Sequence, residues 1–414
     1  MKVLILGGGP AGCAAAYFLK QLGISDITLI EKEAIGGCAR TSFYDSIPYE
    51  FGPQILYTDE PQIRKIFEKF VENKAAPTKD REYHPKVIID GNLERPHDFP
   101  ITIANVLMSA NPIKIIYELY KLKLDEPDFS NFENYMLSRI GKTLYDTYVR
   151  NYNKKMWKKD PTELDAEWAK ERTLTLRERN DMFQGRWQGH PGDHNPIWEG
   201  MVSGIKIEKG TACVSESFKK VYVDGKSRER DYGLIISTLP LSNKLPYMNT
   251  LKIYVVIKED KFIMPSYINS FPNNYNFIRI MEYKQQFYVE NDHTLLDFAF
   301  SWNNDTGIDV NKAIEEVRWF CKNILKRKVE DLFFINKTYT YPVSTLSIRK
   351  IIENKLKTAA DTKVLPLGRC GLHAYVSKDL CVRMGLIMKN HFDGVLQKGA
   401  KKLQVLHKMR EKLR

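Results

Sequence analysis

The chain has 414 residues, of which 43% are apolar and 12% aromatic, and its formal net charge is +12. This length supports two or three packed units. No stretch approaches the ~18 apolar residues that a membrane span requires, and six scattered cysteines argue against a disulfide framework or a zinc site. The cysteines fit a reducing, cytoplasmic location, and the positive charge indicates an anionic partner.

The chain starts with the pattern of a strand, a tight loop, a helix and a second strand. Residues 2–6 are apolar and predict a strand, and Pro10 suits the first turn of an alanine-rich helix over 11–22. A second strand is predicted at 27–31.

The loop between the first strand and the helix has the spacing G-x-G-x-x-G, formed by Gly7, Gly9 and Gly12, and Glu31 ends the next strand. Glycines there permit a tight turn and close approach of the backbone to a pyrophosphate, while Glu31 can hydrogen-bond a ribose. Because strand, helix and acid all fall in place, the segment predicts dinucleotide binding; an ordinary glycine turn is the alternative.

Two further features favour FAD over NAD. Gly36, Gly37 and Arg40 form a second glycine turn with a basic residue, and Gly368-Arg369 follows a buried strand near the other end. This arrangement resembles the glutathione-reductase-like and amine-oxidase-like flavoproteins, in which the chain returns to the flavin at the second of these places. A plain strand-ending turn is the alternative for Gly368-Arg369.

Apolar spacing is helical over 59–73, 101–123 and 132–152, and a stretch rich in Gly, Gln, His, Pro and Trp predicts a long mobile loop over 183–196. The remaining predicted elements are, in chain order, a buried strand at 234–239, several strands within 251–300, a helix at 311–326, a strand near Phe333, a buried strand at 364–367 and a helix at 382–392.

An aromatic pair, Tyr152 and Trp157, ends the third of these helical segments and is followed by Pro161 and Glu163-Leu164. The segment resembles Y-x-x-x-x-W-G-x-x-x-x-x-L of the UDP-galactopyranose mutases. The resemblance implies that Tyr152 stacks on the base of a nucleotide and that Trp157 lies beside the sugar. Two core aromatics at a helix end are the alternative.

Two arginines lie in further segments that match this family. Residues 186–191, Arg-Trp-Gln-Gly-His-Pro, resemble R-Y-Q-G-x-P, and residues 279–284, Arg-Ile-Met-Glu-Tyr-Lys, resemble R-I-I-E-H-K. The resemblance assigns Arg186, on a mobile loop, and Arg279 to the substrate diphosphate, for which two guanidinium forks are well suited. Taken singly, each could be a surface arginine.

The last match begins with Tyr341-Pro342-Val343 and continues through Arg369, Tyr375 and Asp379. In the family these positions bring tyrosine hydroxyls to the substrate phosphates, here Tyr341 and Tyr375. Arg369 and Asp379 would contact the flavin.

The chain also departs from the bacterial mutases. Their G-A-H-x-F-H-T beside the flavin is replaced by residues 52–58, in which Gln54 and Tyr57 stand where the histidines would be. These side chains can hydrogen-bond the cofactor but do not titrate near neutral pH. Lys158 replaces the glycine after the tryptophan, and residues 297–339 form a longer segment, as in the oxidase-type relatives.

The resemblance implies a cytoplasmic enzyme that interconverts the pyranose and furanose forms of a nucleotide sugar through a covalent adduct with reduced FAD, in cell-surface polysaccharide biosynthesis. NADPH or NADH is the expected reductant, and Arg186 and Arg279 are the catalytic candidates because they neutralise the departing diphosphate. An FAD-dependent oxidoreductase of the amine-oxidase type is the alternative. We expect no metal and no nucleic-acid partner, and a homodimer stays open.

The fold implied is α/β, with a discontinuous Rossmann-type FAD-binding domain, a helical domain and an antiparallel β-sheet substrate domain. The expected boundaries are 1–99 for the first part of the FAD domain, 100–185 for the helical cap, 186–250 for the mobile loop and second part, 251–341 for the β-sheet domain and 342–414 for the third part with a basic tail. Leucines alternate with basic residues over 401–414, so this tail could contact an anionic membrane; a solvated terminal helix is the alternative.

Overall fold

The computed structural model describes residues 1–71, 84–122, 126–166, 169, 186–189 and 191–411. Some of the predictions concern residues outside these ranges. They are the ends of the helices at 59–73 and 101–123, the last part of the helical cap at 100–185, the first part of the loop at 183–196, His190 of the arginine segment and the last residues of the basic tail.

Within the described ranges the strands are β1 (Val3–Leu6), β2 (Ile27–Glu31), β3 (Thr41–Tyr44), β4 (Ile47–Glu50), β5 (Leu56–Thr58), β6 (Lys86–Val87), β7 (His97–Asp98), β8 (Trp187–Gly189), β9 (Lys206–Lys209), β10 (Ala212–Val214), β11 (Val221–Val223), β12 (Lys226–Ser227), β13 (Leu234–Ser237), β14 (Tyr247–Lys258), β15 (Ile268–Ser270), β16 (Arg279–Glu282), β17 (His293–Trp302), β18 (Asp331–Pro342) and β19 (Val364–Pro366).

The α-helices are α1 (Pro10–Gln21), α2 (Pro61–Val71), α3 (Ile103–Leu107), α4 (Pro112–Leu122), α5 (Phe132–Leu144), α6 (Asn151–Trp157), α7 (Asn195–Val202), α8 (Tyr283–Phe287), α9 (Val310–Asn323), α10 (Arg349–Ala360), α11 (Gly368–Gly371), α12 (Lys378–Asn390), α13 (Phe392–Leu396) and α14 (Ala400–Glu411).

A five-stranded parallel sheet, ordered β19-β13-β1-β2-β9, forms the first layer. Its central strands are apolar and buried on both faces, as parallel strands covered by helices must be. Helix α1 consists largely of small residues, and Gly385 of α12 lies against Ala14 and Phe18, so these two helices pack closely. The sheet draws on separate stretches of the chain, and the Rossmann-type architecture is confirmed.

The second sheet has seven strands in the order β18-β14-β17-β16-β15-β6-β7. The expected antiparallel pairing holds between all neighbours except β6 and β15, which pair in parallel. One face of this sheet packs on α9 through an aromatic core around Phe320. The α/β fold class with a second, multi-stranded mixed sheet is therefore confirmed.

The helical unit differs from the prediction in two places. The segment expected as one helix over 101–123 is two helices, because Pro112 cannot continue a helix and the residue before a proline avoids helical geometry. The segment over 132–152 breaks at Gly141, whose φ is 76°, and passes through a π-helical stretch at Tyr145–Arg150 before α6.

Helix α14, the basic tail, packs against the core of the parallel sheet. Leu406 and Met409 are fully buried and Leu403 contacts the same core. The apolar face of this helix is therefore used inside the protein. In the described part of the chain, no helix is both long enough and apolar enough to cross a membrane.

Candidate functional site

The three fingerprint glycines differ in what surrounds them. Gly7 has a φ of 95°, and a Cβ there would lie 2.2 Å from the Thr238 hydroxyl oxygen. A Cβ on Gly12 would lie 1.9 Å from the Gly7 carbonyl oxygen. Gly9, by contrast, has an ordinary φ of −70°, and among the described residues, its chain neighbours and the backbone of its own helix apart, no atom lies within 4 Å of a Cβ built on it. The fold itself requires Gly7 and Gly12, whereas at Gly9 it leaves an open space.

This open space lies at the start of α1. Gly9 is the N-cap residue, no side chain caps the helix, and Pro10 occupies the first turn. The helix start therefore presents free N–H groups and the positive end of the helix dipole, which favour a phosphate. The residues present thus fit the pyrophosphate of a dinucleotide.

Glu31 and the second glycine turn border the same opening. The Glu31 carboxylate accepts hydrogen bonds from the N–H groups of Gly8 (2.7 Å) and Glu33 (2.8 Å), which fix it at the carboxyl end of β2. Gly37 has a φ of 55°, and a Cβ there would lie 3.3 Å from the Gly9 Cα. The turn must therefore be glycine to pass so close to the fingerprint.

Arg40 and Gln54 lie around this second turn. The Arg40 guanidinium is 3.6 Å from the Glu199 carboxylate. The Gln54 amide donates to the Cys38 carbonyl (3.1 Å), and the Gln54 main-chain N–H donates to Glu50 (3.1 Å). Both predicted cofactor residues thus lie near the opening, and Gln54 is tied to the glycine turn.

The family-matched aromatic residues come together in one cluster. The rings of Tyr341 and Tyr375 stack at 5.4 Å, and the buried Trp157 meets them edge-on at 6.3 and 5.8 Å. The Arg369 guanidinium lies over both tyrosine rings, 4.9 and 5.5 Å from their centroids, and donates to main-chain carbonyls. We call these residues, with Arg279 and Tyr152, the arginine–tyrosine cluster.

Arg279 lies at the start of β16 with Tyr152, Tyr341, Tyr375 and Asp297 as its electrostatic neighbours. Among the described residues, its Nε–H is buried and has no hydrogen-bond acceptor. A buried guanidinium donor without a partner costs free energy. A hydrogen-bond acceptor beside Arg279 would remove this cost.

Sequence reasoning missed the ion pair that neighbours Arg279. The Lys252 ammonium donates to both carboxylate oxygens of Asp297 (2.7 and 2.6 Å), and the Tyr283 hydroxyl donates to the same carboxylate (2.6 Å). All three side chains are fully buried. Burial lowers the pKa of Lys252 to about 8, although Asp297 acts in the opposite direction. The only signal in the sequence is one lysine inside an apolar strand.

Arg186 lies near the start of α12. It is half-buried and within electrostatic range of Asp379, whose pKa is raised by burial. The prediction of a loop through 183–196 was wrong for Trp187–Gly189, which pairs with Leu56–Thr58 as a two-stranded ladder. Trp187 stacks on Phe67 at 6.4 Å, and this packing accounts for the strand.

Lys158 explains one departure from the family pattern. It ends α6 with φ 50° and ψ 34°, the left-handed conformation. Glycine adopts this conformation without strain and lysine does not. Glycine would therefore be the less strained residue at this position.

The comparisons with known proteins agree with this geometry. A family model described as "UDP-galactopyranose mutase" matches residues 147–375, more than half of the chain, and one described as an "NAD(P)-binding Rossmann-like domain" matches residues 5–70. The dTDP-fucopyranose mutase of Escherichia coli is 22% identical over 397 residues, covering 92% of this chain and 96% of that protein. A probable UDP-galactopyranose mutase of Klebsiella pneumoniae is 21% identical over 400 residues, covering 94% of each. A crystal structure of a reduced UDP-galactopyranose mutase matches with a TM-score of 0.81 at 17% identity, covering 100% of this chain and 99% of that one.

Proposed function

The chain belongs to the UDP-galactopyranose mutase family, and we propose that it is an FAD-dependent mutase that interconverts the pyranose and furanose forms of a nucleotide sugar. Two similar proteins are named for dTDP-fucopyranose and UDP-galactopyranose. The substrate class we propose is accordingly a pyrimidine nucleoside diphosphate sugar.

The observation that carries the proposal is the unsatisfied Nε–H of Arg279 inside the arginine–tyrosine cluster. Leaving such a donor unpaired costs about 1–3 kcal/mol. A diphosphate oxygen would remove this cost and would gain strength as an acceptor when the bond to the sugar breaks. The arrangement therefore favours the departing diphosphate over the intact substrate, which is what catalysis requires.

The other residues of the site have complementary roles in this proposal. The Tyr341 and Tyr375 hydroxyls donate to phosphate oxygens, Tyr152 stacks on the base, and Trp157 fixes the two stacked tyrosines from below. Arg186, which lies near Asp379 at the start of α12, is the second guanidinium that contacts the diphosphate. None of these groups must act as a classical acid–base pair.

FAD is the proposed cofactor, with its pyrophosphate at Gly9 and its further contacts from Arg369 and Asp379. When bound and reduced, it supplies the nucleophile for the anomeric carbon of the sugar. The protein orients the sugar and neutralises the leaving group. NADPH or NADH is the proposed source of electrons, and free cysteines in the described residues fit a reducing, cytoplasmic setting.

An anaerobic product analysis tests this function. The FAD-loaded protein is reduced with dithionite and incubated with UDP-galactose, dTDP-fucose and other nucleotide sugars in pyranose form. The proposal expects a ring-contracted isomer with no net change in the redox state of the flavin. Oxidised protein serves as the control and should give no product.

The amine-oxidase-type alternative predicts a different stoichiometry. An oxidoreductase would start from oxidised flavin and consume one equivalent of electron acceptor for each product. Steady oxygen consumption with an amine, and no isomer from any nucleotide sugar, would replace the mutase proposal with this one.

A further inference from the structure

Three titratable side chains form a buried row between the end of β4 and the start of α12. His194 Nδ1 lies 2.7 Å from a Glu50 carboxylate oxygen, and His194 Nε2 lies 3.4 Å from the Lys378 ammonium nitrogen. Glu50 and His194 are 1% and 2% exposed, whereas Lys378 is half-buried. We call these residues the Glu50–His194–Lys378 row.

The Glu50 end of the row is held rigidly. Its carboxylate also accepts hydrogen bonds from the Thr41 hydroxyl (3.2 Å), the Gln54 main-chain N–H (3.1 Å) and the Gln286 amide (3.1 Å). Because its oxygens meet donors from four directions, Glu50 has one orientation toward His194.

His194 transmits this orientation to Lys378. With the Nδ1 proton donated to Glu50, the Nε2 lone pair faces the lysine nitrogen. Burial, together with the nearby Lys378, holds the pKa of His194 below its ordinary value, so the ring is neutral near pH 7. The arrangement has the form of a carboxylate–imidazole pair that positions a third group.

The start of α12, which carries Lys378, lies level along the helix axes with the opening that the fingerprint leaves. Gly385 of α12 lies against Ala14 and Phe18 of α1, and Lys389, one turn later in α12, donates to Gln21 at the end of α1. Helix α12 therefore runs beside α1 in the same direction. A helix rises 1.5 Å per residue, so the start of α12 lies about 10 Å along the axis before Gly385. The start of α1 lies about 9 Å before the point midway between Ala14 and Phe18, which Gly385 contacts. Lys378 is therefore level with the open helix start at Gly9.

The groups that face Lys378 come from each element around it. They are Glu50 from β4, His194 from the loop before α7 and Asp379 on its own helix, with Arg186 beside Asp379. Burial lowers the pKa of Lys378 to about 7, although Glu50 and Asp379 act in the opposite direction. Burial therefore favours the uncharged amine relative to an exposed lysine.

Two-electron reduction of a flavin creates negative charge unless protons accompany the electrons. Gln54, whose main-chain N–H donates to Glu50 and whose amide donates to the Cys38 carbonyl beside the second glycine turn, has no titratable group. The Glu50–His194–Lys378 row supplies a titratable group from a different part of the fold.

We propose that Lys378, positioned by Glu50 and His194, takes up one proton from solvent when the bound FAD is reduced. The reductant supplies two electrons, one proton goes to the flavin and the second to the lysine amine, which becomes an ammonium ion beside the new negative charge. The inference rests on the proposed function only in requiring that FAD binds and can be reduced.

The test counts protons. FAD-loaded protein in weak buffer at pH 8 is reduced photochemically with a sacrificial amine donor, and a pH indicator reports uptake, corrected for protons released by the donor. We expect about two protons per flavin in the wild-type protein and about one in Lys378→Met. Lys389→Met, a lysine at the far end of the same helix, should retain about two. In Glu50→Gln the loss of the nearby anion should move the uptake to lower pH.

The outcomes separate this inference from the proposed function. Failure to bind FAD would contradict the proposed cofactor. Uptake of about one proton by the wild-type protein at pH 8, or of about two by Lys378→Met, would overturn the role of Lys378 while leaving the mutase proposal intact. A wild-type count of about one would overturn the role of Lys378 even if Lys378→Met does not fold.

Discussion

Gly9→Ala offers a sharp test of where the cofactor binds, because the fold has no use of its own for glycine there. An added methyl group meets no atom within 4 Å in the part of the chain that the structure describes, adjoining backbone apart, and φ is −70°. Alanine is slightly worse than glycine as an N-cap, and this is offset by the smaller entropy of the unfolded chain. The free energy of unfolding should therefore change by less than about 0.5 kcal/mol.

The same methyl group should obstruct FAD. It occupies the space in front of the helix start, so the pyrophosphate must retreat and lose at least one hydrogen bond to a charged group, worth about 1.5–3 kcal/mol. This corresponds to a 10- to 100-fold weaker affinity, since about 1.4 kcal/mol is tenfold. Titration of the apo-protein with FAD, followed by quenching of flavin fluorescence, measures this change, and urea unfolding measures stability.

Gly12→Ala is the matched control. A Cβ there would lie 1.9 Å from a backbone oxygen, so the fold must shift and stability should fall by about 1–3 kcal/mol or more. If Gly9→Ala bound FAD like the wild-type protein, or lost stability like Gly12→Ala, the assignment of the open space to the cofactor would be wrong.

Three further predictions concern the arginines, a strained turn and a buried histidine. Arg279→Ala and Arg186→Ala should each retain FAD and lower turnover by on the order of a hundredfold, with partial rescue by lysine, because each removes a charge-assisted contact to the leaving diphosphate; near-normal turnover in both variants would refute the clamp. Lys158→Gly should raise the free energy of unfolding by about 1 kcal/mol, because it relieves a left-handed conformation. Lys159, the control position, does not have a positive φ, so Lys159→Gly should lower the free energy of unfolding. Burial lowers the pKa of His373 from 6.5 to about 4, so between these pH values the unfolded chain binds a proton at this histidine and the folded protein does not. The free energy of unfolding should therefore fall by about 3 kcal/mol as the pH drops from 6.5 to 4. His373→Asn should reduce this loss in acid denaturation, and an equal loss in both proteins would be the contrary result.

The start of the fold could be predicted because its signals are local. The strand, glycine turn and helix that contain Gly9 are encoded within about twenty residues, and each element lies where its spacing predicts. The break before Pro112 was also encoded locally, but it was outweighed in the prediction by a helical apolar spacing on both sides.

The Glu50–His194–Lys378 row could not be predicted in the same way. In the sequence, 144 residues separate Glu50 from His194 and 184 separate His194 from Lys378. No rule of sequence spacing connects residues so far apart. Likewise, Trp187–Gly189 forms a strand because Leu56–Thr58 and Phe67 lie beside it. Such partners are brought together by the fold, so a reading of neighbouring residues does not reveal them.

The arginine–tyrosine cluster could be predicted from the sequence only in part. Tyr152, Arg279, Tyr341 and Tyr375 were selected by resemblance to a family, and the structure brings them together around one unsatisfied guanidinium donor. Their roles toward a substrate stay predictions. What the resemblance did not indicate is the position of Arg186, which lies beside Asp379.

The measurement that tests the central claim most directly follows the bond between sugar and diphosphate. A nucleotide sugar is labelled with ¹⁸O at the oxygen that bridges the anomeric carbon and phosphorus, and the label is followed by ³¹P NMR. With dithionite-reduced protein, we predict that the label spreads to the non-bridging oxygens of the same phosphate. The label spreads because the diphosphate departs, its terminal phosphate rotates while it is bound to Arg279, and the bond to the sugar forms again. Arg279→Ala should slow this exchange on the order of a hundredfold. A label that stays in the bridge while a ring-contracted product forms, or that spreads equally fast with oxidised flavin, would contradict the proposed mutase chemistry.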